Sequence, residues 1–229
     1  MCGRMVLTRS AREIAEAFDV AQGEALLELG SSWNVAPTQE VVGVRADEDG
    51  SRRLGLLHWG LIPFWAKDRS AAGRMINARA ETAAVKPSFR DALRRRRCIV
   101  PADGFYEWQR PEAGSKAPRV PHYFRRRDGG LLAIAGLWEE WTDKVSGEIV
   151  ESCTLLTTDA NEVVARIHHR MPVLLDAADY AGWLDPKLAE PQDVQGLLVA
   201  APEDMLESIR VSTLVNSPRN NQPACIEPV

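Results

Sequence analysis

Long apolar runs are missing from this chain. The longest, Leu131–Trp138 (LLAIAGLW), spans eight residues, against the ~20 that a membrane-crossing helix needs. The N-terminus lacks a signal-peptide layout, because Arg9, Ser10, Arg12 and Glu13 interrupt it almost at once, and a cytoplasmic location is expected. Cysteine is scarce. Cys2, Cys98, Cys153 and Cys225 are widely spaced with no C-x-x-C pair, which argues against a zinc knuckle and against a disulfide framework. Excess positive charge is absent too: 28 basic against 32 acidic residues leave a net charge of −4, so a chain basic over its whole surface is ruled out. There is no internal repeat, biased tract or linker at which the chain would divide.

What remains is an ordinary globular composition, 45% hydrophobic and 26% charged over 229 residues, enough for one substantial core. Ser10 and Glu13 have capping-box spacing ahead of a helix in SAREIAEAF, and a second short helix is expected in GEALLELG, stopped by Gly30. The texture then turns to short apolar or alternating runs. EVVGVRA, RRLGLLHWGLIP, RCIVPADGFYEW, HYFRRRDGGLLAIAGLWEEW and ESCTLLTTDA read as strands, with Asp128-Gly129-Gly130 as a hairpin turn. Helices are expected again in SFRDALRRR (capped by Ser88), ANEVVARIHH, DAADYAGWL, PQDVQGLLVA and PEDMLESI, ahead of a coil, VNSPRNNQPACIEPV. The reading is a single α+β domain over residues 1–229, with a barrel-like, mainly antiparallel β core and peripheral helices.

Several stretches look chemical. If Met1 is removed, Cys2 carries a free α-amine and a thiol on adjacent carbons, with reference pKa values of about 7.7–8.0 and about 8.5. On the opening decamer alone, Cys2 also reads as an incidental residue on a frayed end. WNVAPTQE is loop-like, and HWGLIPFWAKD sets two tryptophans beside Gly and Pro. INARAET puts Asn77, Arg79 and Glu81 on one face of an extended chain. Glu107 lies between aromatics in GFYEW, an environment that raises a carboxyl pKa. His168, His169 and Arg170 end a helix before Pro172. The arginine clusters FRDALRRRRC and YFRRRDGG read as solvated faces or as part of one basic groove.

In their order, M-C-G-R, N-V-A-P, W-G-L-I-P-x-W, I-N-A-R-x-E-T, C-I-V-P-A-D-G-F-Y-E-W, H-x-R-M-P and V-N-S-P-R-N resemble the SOS-response-associated peptidase family, from Cys2 to about Asn220. The resemblance implies a protein that senses and shields abasic sites in single-stranded DNA. An amine condenses with the ring-opened sugar aldehyde to a Schiff base, and the neighbouring thiol closes a thiazolidine. Cys2 is then the crosslinking residue once Met1 is lost, by the protein's own peptidase-like activity or by a methionine aminopeptidase. Asn77 orients the Cys2 amine, Glu107 shuttles a proton or stabilises the iminium, and His168 acts as general acid/base on the sugar ring oxygen.

By the same resemblance Arg4, Arg79 and Arg170 contact phosphates, and Trp65, with Asn34 and Pro37, forms the wall for base stacking. Ala66 stands where the family often has a second aromatic. No metal or other cofactor is called for, β-elimination of the strand is an expected side activity, and a monomer is expected. The rival reading is an N-terminal-nucleophile amidohydrolase or peptidase that uses the Cys2 thiol. The blocks that such an amidohydrolase uses to bind glutamine are missing.

Overall fold

The protein is described as a computed structural model covering residues 2–21, 29–112, 114, 115 and 117–229. Among these residues the strands are β1 (Met5–Leu7), β2 (Ser32–Val35), β3 (Glu40–Ala46), β4 (Arg52–Trp59), β5 (Asn77–Arg79), β6 (Arg97–Ala102), β7 (Gly104–Gln109), β8 (Val120–Arg126), β9 (Leu132–Thr142), β10 (Ile149–Asp159), β11 (Arg170–Pro172) and β12 (Leu206–Arg210). The helices are short: α1 (Ala11–Ala17), α2 (Ala80–Ala83), α3 (Arg90–Arg95), α4 (Glu162–Ala165), α5 (Tyr180–Leu184) and α6 (Pro191–Gln195). A closed barrel of five strands runs β10-β4-β3-β6-β9, with β9 pairing back onto β10. A second sheet, β12-β8-β7-β1-β2, is antiparallel throughout. The fold is α+β with a barrel, as the alternating runs predict.

Strand alternation divides the core. Val42, Val44, Leu54 and Ile99 face the helices, packing with Ile14, Phe18, Leu93 and Trp183. Their neighbours Val41, Leu57, Trp59, Cys98 and Val100 point the other way, into a cluster shared with Met5, Phe105, Phe124 and Leu206 of the second sheet. Cys2 belongs to that shared cluster. Strand β10 is buried almost end to end and organises the site. It pairs in parallel with β5 (Leu155 opposite Asn77) and antiparallel with β11 (Asp159 opposite Arg170). One strand therefore places both the INARAET and the HHRMP segments.

Some expectations need correcting. The run RCIVPADGFYEW is two strands in different sheets. The chain turns at Asp103, whose carboxylate accepts from the Thr8 backbone N–H, the Thr8 hydroxyl and Arg9. Asp128-Gly129-Gly130 is a turn, with Gly129 at φ 73°, but no hairpin: β8 pairs with β7 and β12, and β9 with β6 and β10. PEDMLESI ends in strand β12, because Leu206 is wholly buried and the backbone covers the open edge of β8. In INARAET the chain is extended only to Arg79, and Glu81 belongs to α2.

WNVAPTQE opens as strand β2, which contains Asn34. Helix α3 begins after Phe89 without a side-chain cap, so Ser88 does not cap it. ANEVVARIHH is helical only over Glu162–Ala165, because Arg170 is drawn into β11 beside β10. The capping box of Ser10 and Glu13 forms as expected. GEALLELG falls largely outside the described residues.

Gly104, at the head of β7, carries a testable consequence. A Cβ there would stand 2.3 Å from the Phe124 carbonyl oxygen and 2.4 Å from the Tyr123 ring, and the carbonyl belongs to the paired strand and cannot swing aside. Gly104→Ala is expected to lower stability by about 1–3 kcal/mol, read as a lower denaturant midpoint.

Candidate active site

Cys2 is fully buried (0% exposed), although only one residue precedes it. Burial follows from β1 being an interior strand, with Met5 opposite Phe105 of β7 on one side and Val35 of β2 on the other. The backbone just beyond Cys2 joins the same ladder, since the Tyr106 N–H donates to the Arg4 carbonyl (3.0 Å). Asn77 closes the segment from β5: its Nδ2 donates to the Cys2 carbonyl at 2.7 Å. The other end of that amide, Oδ1, is buried with no partner among the described residues. Burial, followed by the nearby Glu107 carboxylate, pushes the Cys2 thiol up to about 12.

Glu107 sits on β7 with 3% exposure. Removal from water raises its pKa above the ordinary carboxyl value. Its Oε1 lies 3.8 Å from Nδ1 of His168. His168 is half-buried, which lowers its pKa and favours the neutral ring. Its Nδ1 faces a single residue's backbone: the Arg170 N–H donates to it (3.0 Å), and the Arg170 carbonyl stands at 3.1 Å. The amide serves the ring when Nδ1 is bare, and the carbonyl accepts when Nδ1 is protonated. The ring is thus held in place in either protonation state, as a proton-transfer group requires. His169 packs against it with ring centroids 4.5 Å apart.

The structure therefore brings Cys2, Asn77, Glu107 and His168 to one place. The residues read as a DNA surface are distributed differently. Arg170 is buried, its two terminal nitrogens spent on a fork to Glu81 (2.6 and 2.9 Å), on Asp159 (2.7 Å) and on the Thr157 carbonyl. Asn34 is buried as well. Its Nδ2 donates to the carbonyls of Val215, Ser217 and Asn220, while its Oδ1 accepts from Arg4. It works as a clamp, and the wall for bases has to come from elsewhere. Arg4 spends one nitrogen on Asn34 and on the Val215 carbonyl, and lies over the Trp108 ring at 5.7 Å. Arg79 is exposed and makes no ion pair among the described residues.

Trp65 is 53% exposed, and so is its neighbour Phe64, at 55%. Sequence reasoning sought the second aromatic at position 66. There Ala66 is buried under Trp141, whose indole N–H donates to the Ala66 carbonyl at 2.8 Å. The usable signal was on the other side, an aromatic wedged between Pro63 and Trp65. The loop is pinned by the Ile62 N–H to Ser152 Oγ bond (2.9 Å) and by the Gly60 N–H to the Cys153 carbonyl (2.9 Å), so the two rings stand on a firm base. Half-buried Pro37 lies one residue before Thr38, whose N–H donates to the Trp59 carbonyl (2.8 Å) at the root of that loop.

The coil VNSPRN was also read too weakly: it is the strap that Asn34 and Arg4 hold. Within the arginine run 94–97, Arg97 is buried against backbone carbonyls and Arg96 pairs with Glu139, so half of that run is structural. Among the described residues no group of His, Cys, Asp and Glu is placed to hold a metal ion, and no helix is long and apolar enough to cross a membrane. Removing the Asn34 amide leaves strap carbonyls and Arg4 without their partner. Asn34→Ala is expected to lower stability by about 1–3 kcal/mol, read by chemical denaturation.

Comparison with known proteins gives this geometry a family. Residues 1–218 match the family model described as SOS response associated peptidase (SRAP). The chain is 44% identical over 227 residues to abasic site processing protein YoqW of Bacillus subtilis (strain 168), covering 99% of each. It is 34% identical over 207 residues to abasic site processing protein HMCES of Gallus gallus, covering 81% of this chain and 61% of that protein. A crystal structure of a Bacteroides thetaiotaomicron protein superposes with a TM-score of 0.85 at 27% identity, over 100% of both chains. On the match across nearly its whole length, the chain belongs to the SOS response associated peptidase family.

Proposed function

We propose that this protein processes abasic sites in single-stranded DNA by forming a covalent crosslink through Cys2. The observation that carries the reading is the convergence of Asn77, Glu107 and His168 on a buried cysteine one residue from the N-terminus. The names of the relatives, abasic site processing proteins, supply the substrate class.

The chemistry begins with hydrolytic loss of Met1, by the protein itself or by an aminopeptidase, which frees the Cys2 α-amine. Oδ1 of Asn77, which has no partner among the described residues, accepts a hydrogen bond from that amine and aims its lone pair. His168 moves a proton at the sugar ring oxygen as the abasic deoxyribose opens to its aldehyde. The amine adds to C1′, a proton passes to the departing oxygen, and water leaves to give the Schiff base. Glu107, its pKa raised by burial, is suited to that transfer near neutral pH. The thiol then adds across the C=N bond, its proton going to nitrogen, and the thiazolidine ring closes. A thiol held at about 12 is a poor first nucleophile, which favours amine-first condensation over the amidohydrolase reading. β-Elimination from the Schiff base is the side reaction that would nick the strand.

Arg79 and the unused nitrogen of Arg4 are the phosphate contacts in this reading. Arg170 is a positioning residue, since its carboxylate partners fix the backbone on which His168 rests. Phe64, Trp65 and Pro37 form the stacking surface, where each base stacked on an aromatic ring is worth about 1–3 kcal/mol. Asn34 stabilises that frame from beneath.

The test is a denaturing gel with a single-stranded oligonucleotide carrying one abasic site, together with the intact mass of the adduct. The expected result is a heat-stable band, absent with an intact strand and with Cys2→Ala, at the mass of the Met1-free protein plus DNA less one water. No band from protein shown to lack Met1 would overturn the reading. The pH profile follows from burial. His168 protonates below its ordinary value of about 6.5, so crosslinking slows as pH falls through that lowered value, and His168→Gln loses this limb. Glu107→Gln is expected to slow crosslinking by roughly 10²–10⁴-fold, measured as single-turnover rates on the same gel.

A further inference from the structure

We propose that Arg110 and Arg119 form a clamp for the phosphodiester backbone of the strand that enters or leaves the site on the side of His168. This assignment rests on the abasic-site reading and extends it to residues that neither motif nor resemblance picked out. The hairpin of β7 and β8 ends its paired ladder at Gln109 opposite Val120. The next residue beyond each strand is an arginine, Arg110 after β7 and Arg119 before β8, so the register sets two cationic residues at the neck of the hairpin. Like charges at neighbouring positions of an antiparallel hairpin are unfavourable, and no carboxylate among the described residues pairs with either. Both are exposed, and neither makes an ion pair or side-chain hydrogen bond among the described residues. Glu112, two residues on, bonds to neither.

Several other arginines are paired. Arg9, Arg45, Arg96, Arg125, Arg126 and Arg170 each meet a carboxylate, as expected where acids outnumber bases 32 to 28. Two arginines without an anion among the described residues, at the end of the strand that carries Glu107, call for one from outside. A phosphate matches the guanidinium fork with two parallel hydrogen bonds, and a single strand supplies successive phosphates. The pair lies near enough to the proposed reaction centre for both charges to act on His168, and for that of Arg110 to act on His169. His168 also faces Glu107, the His169 ring and the Arg170 peptide, and the charge of the N-terminal amine lowers its pKa more than either arginine does. Neutralisation of the two arginines by bound phosphate therefore removes part of the repulsion that lowers the His168 pKa.

The experiment measures binding of a labelled single strand carrying a tetrahydrofuran abasic analogue, which lacks the aldehyde and cannot crosslink, over roughly 50–200 mM salt. The double variant Arg110→Ala/Arg119→Ala is expected to bind more weakly and to flatten the plot of log K against log salt by about 1.4, at ~0.7 per phosphate contact on a single strand. Arg110→Lys/Arg119→Lys is expected to keep most of the slope. A second readout needs no DNA: in an NMR titration the imidazole pKa values of His168 and His169 should rise in the alanine variant, whose thermal stability should equal or exceed that of the wild type. A wild type that binds while the alanine variant keeps the same slope overturns the clamp alone. A wild type with no affinity for the strand overturns both the clamp and the function on which it rests.

Discussion

The structure depends on holding the first residues of the chain inside a sheet. Termini ordinarily fray. Here three residues of β1 pair on both sides, with β7 and β2, and the interaction that completes the arrangement is the Asn77 amide on the Cys2 carbonyl. Asp103 takes up the Thr8 and Arg9 donors just beyond β1, and Asn34 ties Arg4 to the C-terminal strap. The segment is thus fixed by five partners: β7, β2, Asn77, Asp103 and Asn34. For the proposed role of Cys2 as the nucleophile, this placement means little reorganisation when substrate arrives, with orientation established before binding.

Burying the terminus has an electrostatic consequence. In a region short of water a carboxyl loses its preference for the ionised form, and an imidazole loses its preference for the protonated one. Glu107 rises and His168 falls, so their proton affinities approach one another across 3.8 Å. Two groups matched in this way can exchange roles as acid and base during a reaction that takes up and releases protons in turn. The Arg170 fork belongs to the same design, because its ion pairs fix the peptide that serves His168 Nδ1 in both protonation states.

Much of this was legible in the sequence, for identifiable reasons. Long alternating strands such as EVVGVRA announce themselves through period-two burial, and the Ser10–Glu13 capping box is a local signal that the fold leaves undisturbed. The four residues of the central cluster were named from motif resemblance and lie together. What the sequence hid was set by distant partners. PEDMLESI has the local look of a helix, yet the open edge of β8 pulls it into a strand. Arg170 and Asn34 look like surface recognition residues, and only the fold reveals Glu81 and the strap carbonyls that occupy them. The second exposed ring, Phe64, precedes Trp65 instead of following it, and only the fold shows that it faces solvent.

The cysteines sharpen the question of what makes Cys2 special. Cys98 and Cys153 share its cluster, are buried as fully, and have their thiols pushed up by the same loss of water, Cys98 to about 12 like Cys2 itself. Thiol acidity therefore does not distinguish Cys2 from its two buried neighbours. Position does: it alone gains an α-amine when Met1 is lost, beside an acceptor on Asn77 and a carboxyl on Glu107 able to receive that amine's proton. A protein using the thiol as first nucleophile would gain from a lowered pKa, and the fold does the opposite. In the proposed reaction, suppressing the thiolate protects the sulfur from oxidation and stray alkylation until an imine carbon is held next to it, when ring closure is intramolecular and needs little thiolate.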